Sequence, residues 1–321
     1  MNRPPALEVT GLTVRIADRD ILTGIDLSVA SGETVAVLGP SGSGKTTLLA
    51  TIAGFFIPAA GEIRMAGELV ASPHTQLPPE RRSIGFVFQS YALWPHLSAR
   101  DTVAFPWRVA GVDADEARRR ADALLESLGI AELAERLPAE MSGGQQQRVG
   151  VARALAREAD LFLLDEPTAH LDAVTRRAAE AEIAQQRHSR VAAALYATHD
   201  PAEALGAADR VVLLRAGTIV QQGTPMAVYE EPRDEWAARL TGAVSVLMRQ
   251  GQRVAVRPEW VRLGSGATGT IVAVRFRGPH SELTLDTPDG LVEARVPGPP
   301  VHRVGDTVKW EATREWVLPE G

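Results

Sequence analysis

Residues 34–54 constrain the fold more than any other stretch. Thr34-Val35-Ala36-Val37-Leu38 is a continuous β-branched and aliphatic run, followed by Gly39-Pro40-Ser41-Gly42-Ser43-Gly44-Lys45-Thr46-Thr47 and then by Leu48, Leu49 and Ile52 at helical spacing. The run reads as a strand buried on both faces and the tail as a helix, with the pattern G-x-x-x-x-G-K-[ST] between them. Glycines let backbone N–H groups turn inward, and a helix beginning near Lys45 adds the positive end of its dipole, so the loop is built to cradle phosphate. In such a loop Lys45 holds the β- and γ-phosphates and the Thr46 hydroxyl ligates Mg²⁺. Lys45 and Lys309 are the only lysines in a chain that otherwise uses arginine. A lysine kept against that bias marks a position for a compact point charge, where a planar fork would not serve.

Two further apolar runs, Leu161–Leu164 and Val191–Ala197, have helical patterns between them and read as buried parallel strands of an α/β core. The first ends in Asp165-Glu166-Pro167, and carboxylates at the end of a buried strand are costly unless they meet a cation. Asp165 is expected on the metal side, and Glu166 is expected to orient and deprotonate an attacking water. Residues 97–158 are helical in pattern: Ala117, Ala121, Leu124, Leu125 and Leu128 share one face, with Arg118, Arg119 and Arg120 on a solvated side. Met141-Ser142-Gly143-Gly144-Gln145 precedes another helix, striped by Val149, Ala152, Leu155 and Ala156. Ser142 can cap that helix and the two glycines expose N–H groups, which makes a second anion site. Leu7–Thr10, Leu12–Ile16 and Ile25–Val29 read as antiparallel strands separated by Gly and Asp turn signals. After about Trp236 the short runs Arg253–Val256, Gly269–Phe276, Glu282–Leu285, Leu291–Val296 and Asp306–Glu311 predict a small antiparallel barrel.

Taken together, GPSGSGKT, Gln89, MSGGQQQR, LFLLDEP and His199, in this order across about residues 7–235, resemble the nucleotide-binding subunit of an ATP-binding cassette transporter. The resemblance implies a P-loop NTPase cassette over residues 1–240, with a RecA-like core, an N-terminal antiparallel β-subdomain and an α-helical subdomain at about 97–158. It implies an ATPase working as a homodimer around two MgATP, the Ser142-Gly143-Gly144-Gln145 segment of one copy covering the γ-phosphate held by Gly39–Thr47 of the other. The family's remaining positions carry over onto Gln89, which touches Mg²⁺ and the lytic water, Asp172 at the dimer seam, and His199 beside the γ-phosphate. Family members usually carry an aromatic against adenine where Ile16 stands here, so weaker nucleotide affinity and less preference for ATP over GTP are expected. Met141 replaces the usual leucine before the signature, a change that nearly conserves volume.

Tyr91-Ala92-Leu93-Trp94-Pro95-His96-Leu97 follows Gln89 and is too apolar for a free loop. Either it packs inside the helical subdomain, or the Gln89–Leu97 region forms a groove for a short helix of a membrane permease subunit. Residues 243–321, through Val256-Arg257-Pro258-Glu259 and Val274–Gly278, resemble the TOBE-like, OB-like accessory barrel of importers for sugars, polyamines, ferric iron, molybdate or sulfate. That barrel is either a regulatory, dimer-stabilising domain or a passive enlargement of the dimer contact. The whole then reads as the energy-coupling subunit of an importer, served indirectly by a solute-binding protein and acting at the cytoplasmic face of the membrane.

Composition agrees with this reading. A length of 321 residues suits two domains, and a net charge of −6 offers no global positive field for nucleic acid or anionic lipid. A soluble cassette ATPase acting on nucleic acid or ribosomes is the alternative; such proteins generally carry a second cassette, a long coiled coil or a basic face, and none is visible. The absence of cysteine excludes disulfides and thiolate metal sites and suits a reducing compartment. Met-Asn-Arg-Pro-Pro lacks the apolar core of a signal peptide, and the apolar runs fall short of the roughly 18–20 residues that cross a bilayer, so a cytosolic chain is expected.

Overall fold

The computed structural model describes residues 4–157, 159–167 and 192–319, and the chain divides into two compact units, Met1–Ile219 and Val220–Gly321. Asp172 and the first residue of the Val191–Ala197 run lie outside the described residues.

The first unit is built on two sheets. In the N-terminal one, β1 (Leu7–Ile16) pairs with β2 (Arg19–Val29) and β4 (Ala60–Met65), followed by β5 (Glu68–Ser72) and β6 (Thr75–Gln76), in the order β2-β1-β4-β5-β6. The two runs expected on either side of Gly11 are one strand. Gly11, at φ +56, does not turn the chain but forms an irregularity between Val9 and Leu12, and the reversal comes later, at the left-handed pair Ala17 and Asp18.

The second sheet holds β3 (Thr34–Leu38), β7 (Ile84–Val87), β8 (Leu161–Asp165), β9 (Ala193–Thr198), β10 (Arg210–Arg215) and the edge strand β11 (Thr218–Gly223), in the order β11-β10-β3-β9-β8-β7. β10, β3, β9, β8 and β7 run parallel. Every residue of β3, β8 and β9 is buried, as continuous apolar runs in a covered parallel sheet require. Helix α1 (Lys45–Ala53) joins the same core through Leu48, Leu49 and Ile52. Its C-terminal carbonyls are met by Arg82, which is 1% exposed and donates to Thr51 O and Ile52 O as well as to Leu77 O and Val70 O. Burial draws the Arg82 pKa down to about 10.

The register brings the functional ends together. Leu38 lies opposite Thr198 and Asp165 opposite Ala197, so Gly39, Glu166 and His199 leave adjacent strands at one edge. The carboxyl edge of a parallel sheet is where ligands of α/β folds bind.

The helical segment holds α2 (Ala99–Val109), α3 (Ala114–Ser127) and α4 (Gly143–Leu155). Ala117, Ala121, Leu124, Leu125 and Leu128 are buried, while Arg119 and Arg120 pair with Glu116, and Arg118 with Asp101, on the solvated side.

In the second unit the helices Pro225–Glu230 and Glu235–Thr241 precede β12 (Ser245–Arg249), β13 (Gln252–Val256), β14 (Val261–Phe276), β15 (His280–Thr287), β16 (Gly290–Pro297), β17 (Thr307–Ala312) and β18 (Trp316–Val317). They form a three-stranded sheet β12-β13-β18 and a four-stranded sheet β16-β15-β14-β17, around Trp260, Ile271, Leu283, Leu285 and Trp310. β14 begins at Val261, well before the Gly269–Phe276 run, because its register on β17 shifts between Leu263 and Ala267, where Gly264 and Gly266 take positive φ. Arg257 is wholly buried here. It donates to Tyr229 O at 2.6 Å, Ala238 O at 2.8 Å, Ala243 O at 3.1 Å, Gly242 O at 3.2 Å and Thr241 Oγ1 at 2.8 Å. Its guanidinium lies 4.0 Å from the centre of the Tyr229 ring.

Candidate functional site

The phosphate loop leaves β3 at Leu38 and enters α1 at Lys45. At Gly39 a Cβ would lie 2.4 Å from Leu214 O and 2.6 Å from Ser43 Oγ, and Gly42 and Gly44 take φ +77 and +107, so the path is open only to glycine. Gly44 is the N-cap of α1, with no side-chain cap and no acidic residue in the first turn. The positive end of that helix is therefore left for a ligand. Lys45 is 5% exposed, and its Nζ donates to Gly39 O at 2.8 Å and Pro40 O at 3.1 Å. Burial lowers its pKa from the ordinary lysine value, against the pull of Glu166 and Asp165. Ser43 Oγ is buried without a partner; Pro40, Ser41 and Thr46 are exposed and Thr47 half-buried.

Asp165 ends β8 with 2% exposure, and its Oδ1 has no hydrogen-bond partner. Burial raises its pKa, opposed by a hydrogen bond from the Thr46 hydroxyl and by Lys45. Glu166 follows in the left-handed region, φ +48, a conformation rarely taken by a residue with a Cβ. Both sides of its backbone are held: its N–H donates to Ala197 O at 2.9 Å and its carbonyl accepts from Gln147 Nε2 at 3.1 Å. The kink aims the carboxylate at Gln89 and His199, two of the residues singled out in the sequence. Gln89 Nε2 reaches Oε2 at 3.5 Å and His199 Nδ1 lies 3.1 Å from Oε1. The Gly39 N–H completes the seam, donating to Thr198 O at 3.4 Å.

Lys45, Thr46, Asp165, Glu166, Gln89 and His199 thus meet in one place. Ser142–Gln145 stand apart. Ser142 caps α4 in a reciprocal box with Gln145, at 3.4 and 2.9 Å, and Ser142 and Gly143 are exposed. Among the described residues, no hydrogen bond or ion pair joins this segment to Gly39–Thr47. Ile16 closes β1 half-buried against the core and lies opposite Arg19.

The segment after Gln89 is packed internally in part. Tyr91 and Ala92 take φ +61 and +45, and Arg153 of α4 donates to both carbonyls while its guanidinium lies 5.3 Å from the Trp94 ring centre. Trp94 also meets Phe105 of α2 at 4.6 Å. Phe55, 51% exposed, contacts Phe86 and Phe88, and Ile57 beside it is 61% exposed.

Sequence reasoning passed over Gln147 and Arg153, polar residues 2% and 9% exposed on α4. The available signal was their place on the buried side of a helix whose apolar stripe was already drawn, where a polar group must find a partner.

Residues 22–169 match the family model described as ABC transporter, and residues 254–318 match the TOBE domain. The chain is 36% identical over 320 residues to the Fe(3+) ions import ATP-binding protein FbpC of Brucella abortus (strain 2308), covering 90% of each chain. It is 38% identical over 312 residues to the spermidine/putrescine import ATP-binding protein PotA of Pseudomonas fluorescens (strain Pf0-1), covering 92% of this chain and 85% of the relative. Among solved structures, the ADP- and Pi-bound dimer of the ATP-binding cassette MJ0796 aligns with a TM-score of 0.63 and 29% identity, over 68% of this chain and 98% of that one. The cbiO1 structure from Clostridium perfringens aligns at 0.62 and 30% identity, over 70% of this chain and 90% of that one. With the phosphate loop, the capped signature helix and the Asp165–Glu166 strand end in one cassette, and a TOBE domain after it, the chain belongs to the ABC transporter family as an importer-type ATP-hydrolysing subunit.

Proposed function

We propose that this subunit cleaves MgATP with Glu166 as the base, and that two copies close around two nucleotides to drive uptake through separate permease subunits at the cytoplasmic face of the membrane. The observation that carries the reading is the convergence on Glu166: a strained backbone aims its carboxylate between Gln89 and His199, beside Lys45 and Asp165. The donor set fits Mg²⁺. Asp165 offers a buried oxygen without a partner and Thr46 a hydroxyl at the same carboxyl, and hard oxygen donors few in number suit an ion that takes the rest of its ligands from phosphate and water. Bound there, Mg²⁺ supplies charge neutralisation for the phosphates.

The chain's own residues do the remainder. Lys45 exchanges Gly39 O and Pro40 O for phosphate oxygens, and the open N-terminus of α1 receives the same charge. Glu166 accepts a proton from water as its oxygen attacks the γ-phosphorus and the bond to the β-phosphate oxygen breaks, releasing ADP. Gln89 orients that water and His199 stands by the γ-phosphate; Ser142, Gly143, Gly144 and Gln145 of a second copy close the site from outside, with Asp172 at the seam. The exposure of Ser142 and Gly143 at the start of α4 supports this use in trans, since a second copy can reach a helix N-terminus that is not covered. Gln89–Leu97 and the exposed Phe55–Ile57 lie where a permease helix would be felt at Gln89. A solute-binding protein acts through those permeases, and cargo is chosen outside this chain: relatives of nearly equal identity are named for ferric iron and for polyamines.

Glu166→Gln tests the reading. Phosphate release is expected to fall by about 10²–10⁴-fold, with an ATP-bound dimer accumulating on gel filtration. Turnover near the wild-type rate would remove Glu166 from the chemistry.

A further inference from the structure

We propose that Glu203 is a positioning residue for His199, acting through the hydroxyls of Tyr196 and Thr198. The proposal rests on the place given to His199 above. The helix Pro201–Ala207 follows the His199 turn, and Glu203 on its first turn points back to the strand it came from. Tyr196 donates its hydroxyl to Glu203 Oε2 at 2.6 Å and Thr198 donates its own to the same oxygen at 2.7 Å. The Thr198 hydroxyl also accepts from the Asp200 N–H at 3.0 Å. His199 therefore follows directly on a residue, Thr198, whose hydroxyl is held by the Glu203 carboxylate and in turn holds the Asp200 N–H on the other side of His199. Asp200 in turn caps the helix through the Ala202 N–H at 2.8 Å, which sets where the helix starts and hence where Glu203 can reach.

The same stretch of β9 is tied to the rest of the site through its backbone. Ala197 O accepts from the Glu166 N–H and Thr198 O from the Gly39 N–H. A rotation of the Thr198 side chain would be felt on both sides: at His199, whose ring reaches the Glu166 carboxylate at 3.1 Å, and at the first glycine of the phosphate loop. Short hydrogen bonds to an ionised carboxylate are the strong kind, and two on one oxygen leave the Thr198 rotamer little freedom. Catalysis by positioning is sensitive to this, because displacements of about 1 Å remote from the reacting atoms can cost on the order of a hundredfold in rate.

The test uses the full chain. Glu203→Ala is expected to lower kcat for ATP about tenfold or more with KM within about threefold, and Glu203→Gln, whose amide oxygen can still accept both hydroxyls, to restore most of the rate. With ring-labelled histidine, the His199 resonance, assigned by its loss in His199→Ala, is expected to shift or broaden in Glu203→Ala while the other histidines stay in place. Should Glu203→Ala fail to fold, Tyr196→Phe and Thr198→Val each remove one hydroxyl, and Thr198→Val is expected to move the His199 resonance more. An unmoved His199 resonance in these variants, or equal changes in kcat and KM with a lowered Tm, overturns the proposal. His199→Ala with undiminished turnover would instead overturn the role assigned to His199, and the resonance experiment would still decide what Glu203 does.

Discussion

Asp165 in the cassette and Arg257 in the C-terminal unit are both ionisable and almost completely buried, yet they are treated in opposite ways. Arg257 spends its donors on four carbonyls and a hydroxyl and lies on an aromatic face. Asp165 keeps one oxygen without any partner and is pushed by burial towards its neutral form. A buried charge whose hydrogen bonds are complete fastens structure together; one left incomplete is costly until something arrives to complete it. On the proposed function, the difference separates a clasp from a binding site within one chain. The carbonyls that Arg257 gathers belong to the helices Pro225–Glu230 and Glu235–Thr241 and the turn after them, so the clasp ties those helices to the strands that follow within the second unit. Tyr229 shares in it, its hydroxyl donating to Glu259 and its pKa pushed up to about 12 by burial and that carboxylate.

The contrast breaks most sharply at the clasp. Arg257→Ala strands several buried carbonyls, and a loss of about 3–5 kcal/mol is expected, read as a lower urea midpoint with hydrogen exchange opening in residues 245–317 while nucleotide binding persists. A loss under about 1 kcal/mol would mean that the guanidinium is replaceable there.

Asp165→Asn is expected to act in the opposite sense on the free protein. Because the folded-state pKa is raised above the ordinary value of 3.8, the neutral carboxyl favours folding; that contribution is complete below 3.8 and is lost as pH climbs through the folded-state value. At pH 7 the nucleotide-free variant should therefore melt no lower than the wild type, yet it should lose the stabilisation by MgATP and about a hundredfold in turnover. A variant that melts clearly lower without nucleotide would show that Asp165, like Arg257, is structural.

The smallest effect is expected at the base site. Ile16→Tyr replaces aliphatic contact by an oriented ring and should tighten ATP by about 0.5–1.5 kcal/mol, with a smaller gain for GTP, in a nucleotide titration. Unchanged ATP affinity would place the base elsewhere.

The parts of this molecule that were legible in the sequence are those with a local signature. The phosphate loop announces itself by glycine spacing between a strand and a helix, and Asp165 and Glu166 by ending a fully apolar run. What escaped depends on contacts between distant residues. Gln147 meets Glu166, Arg257 meets Tyr229, and Arg82 meets Thr51 and Ile52, each a single polar side chain with no periodic trace in its own segment. Gly11 misled for a related reason: a glycine between alternating residues spells a turn or a bulge alike, and only the pairing of β1 with β2 and β4 decides. The strained backbone of Glu166 left no mark either, since nothing in its side chain declares a positive φ.

The two carbonyls that hold Lys45 have a further consequence. On the proposed function, Gly39 O and Pro40 O stand in for phosphate oxygens, giving the buried ammonium two acceptors from the loop's own backbone. A nucleotide bound as proposed would exchange one pair of oxygen acceptors on Lys45 for another, so that the buried ammonium is never left without partners.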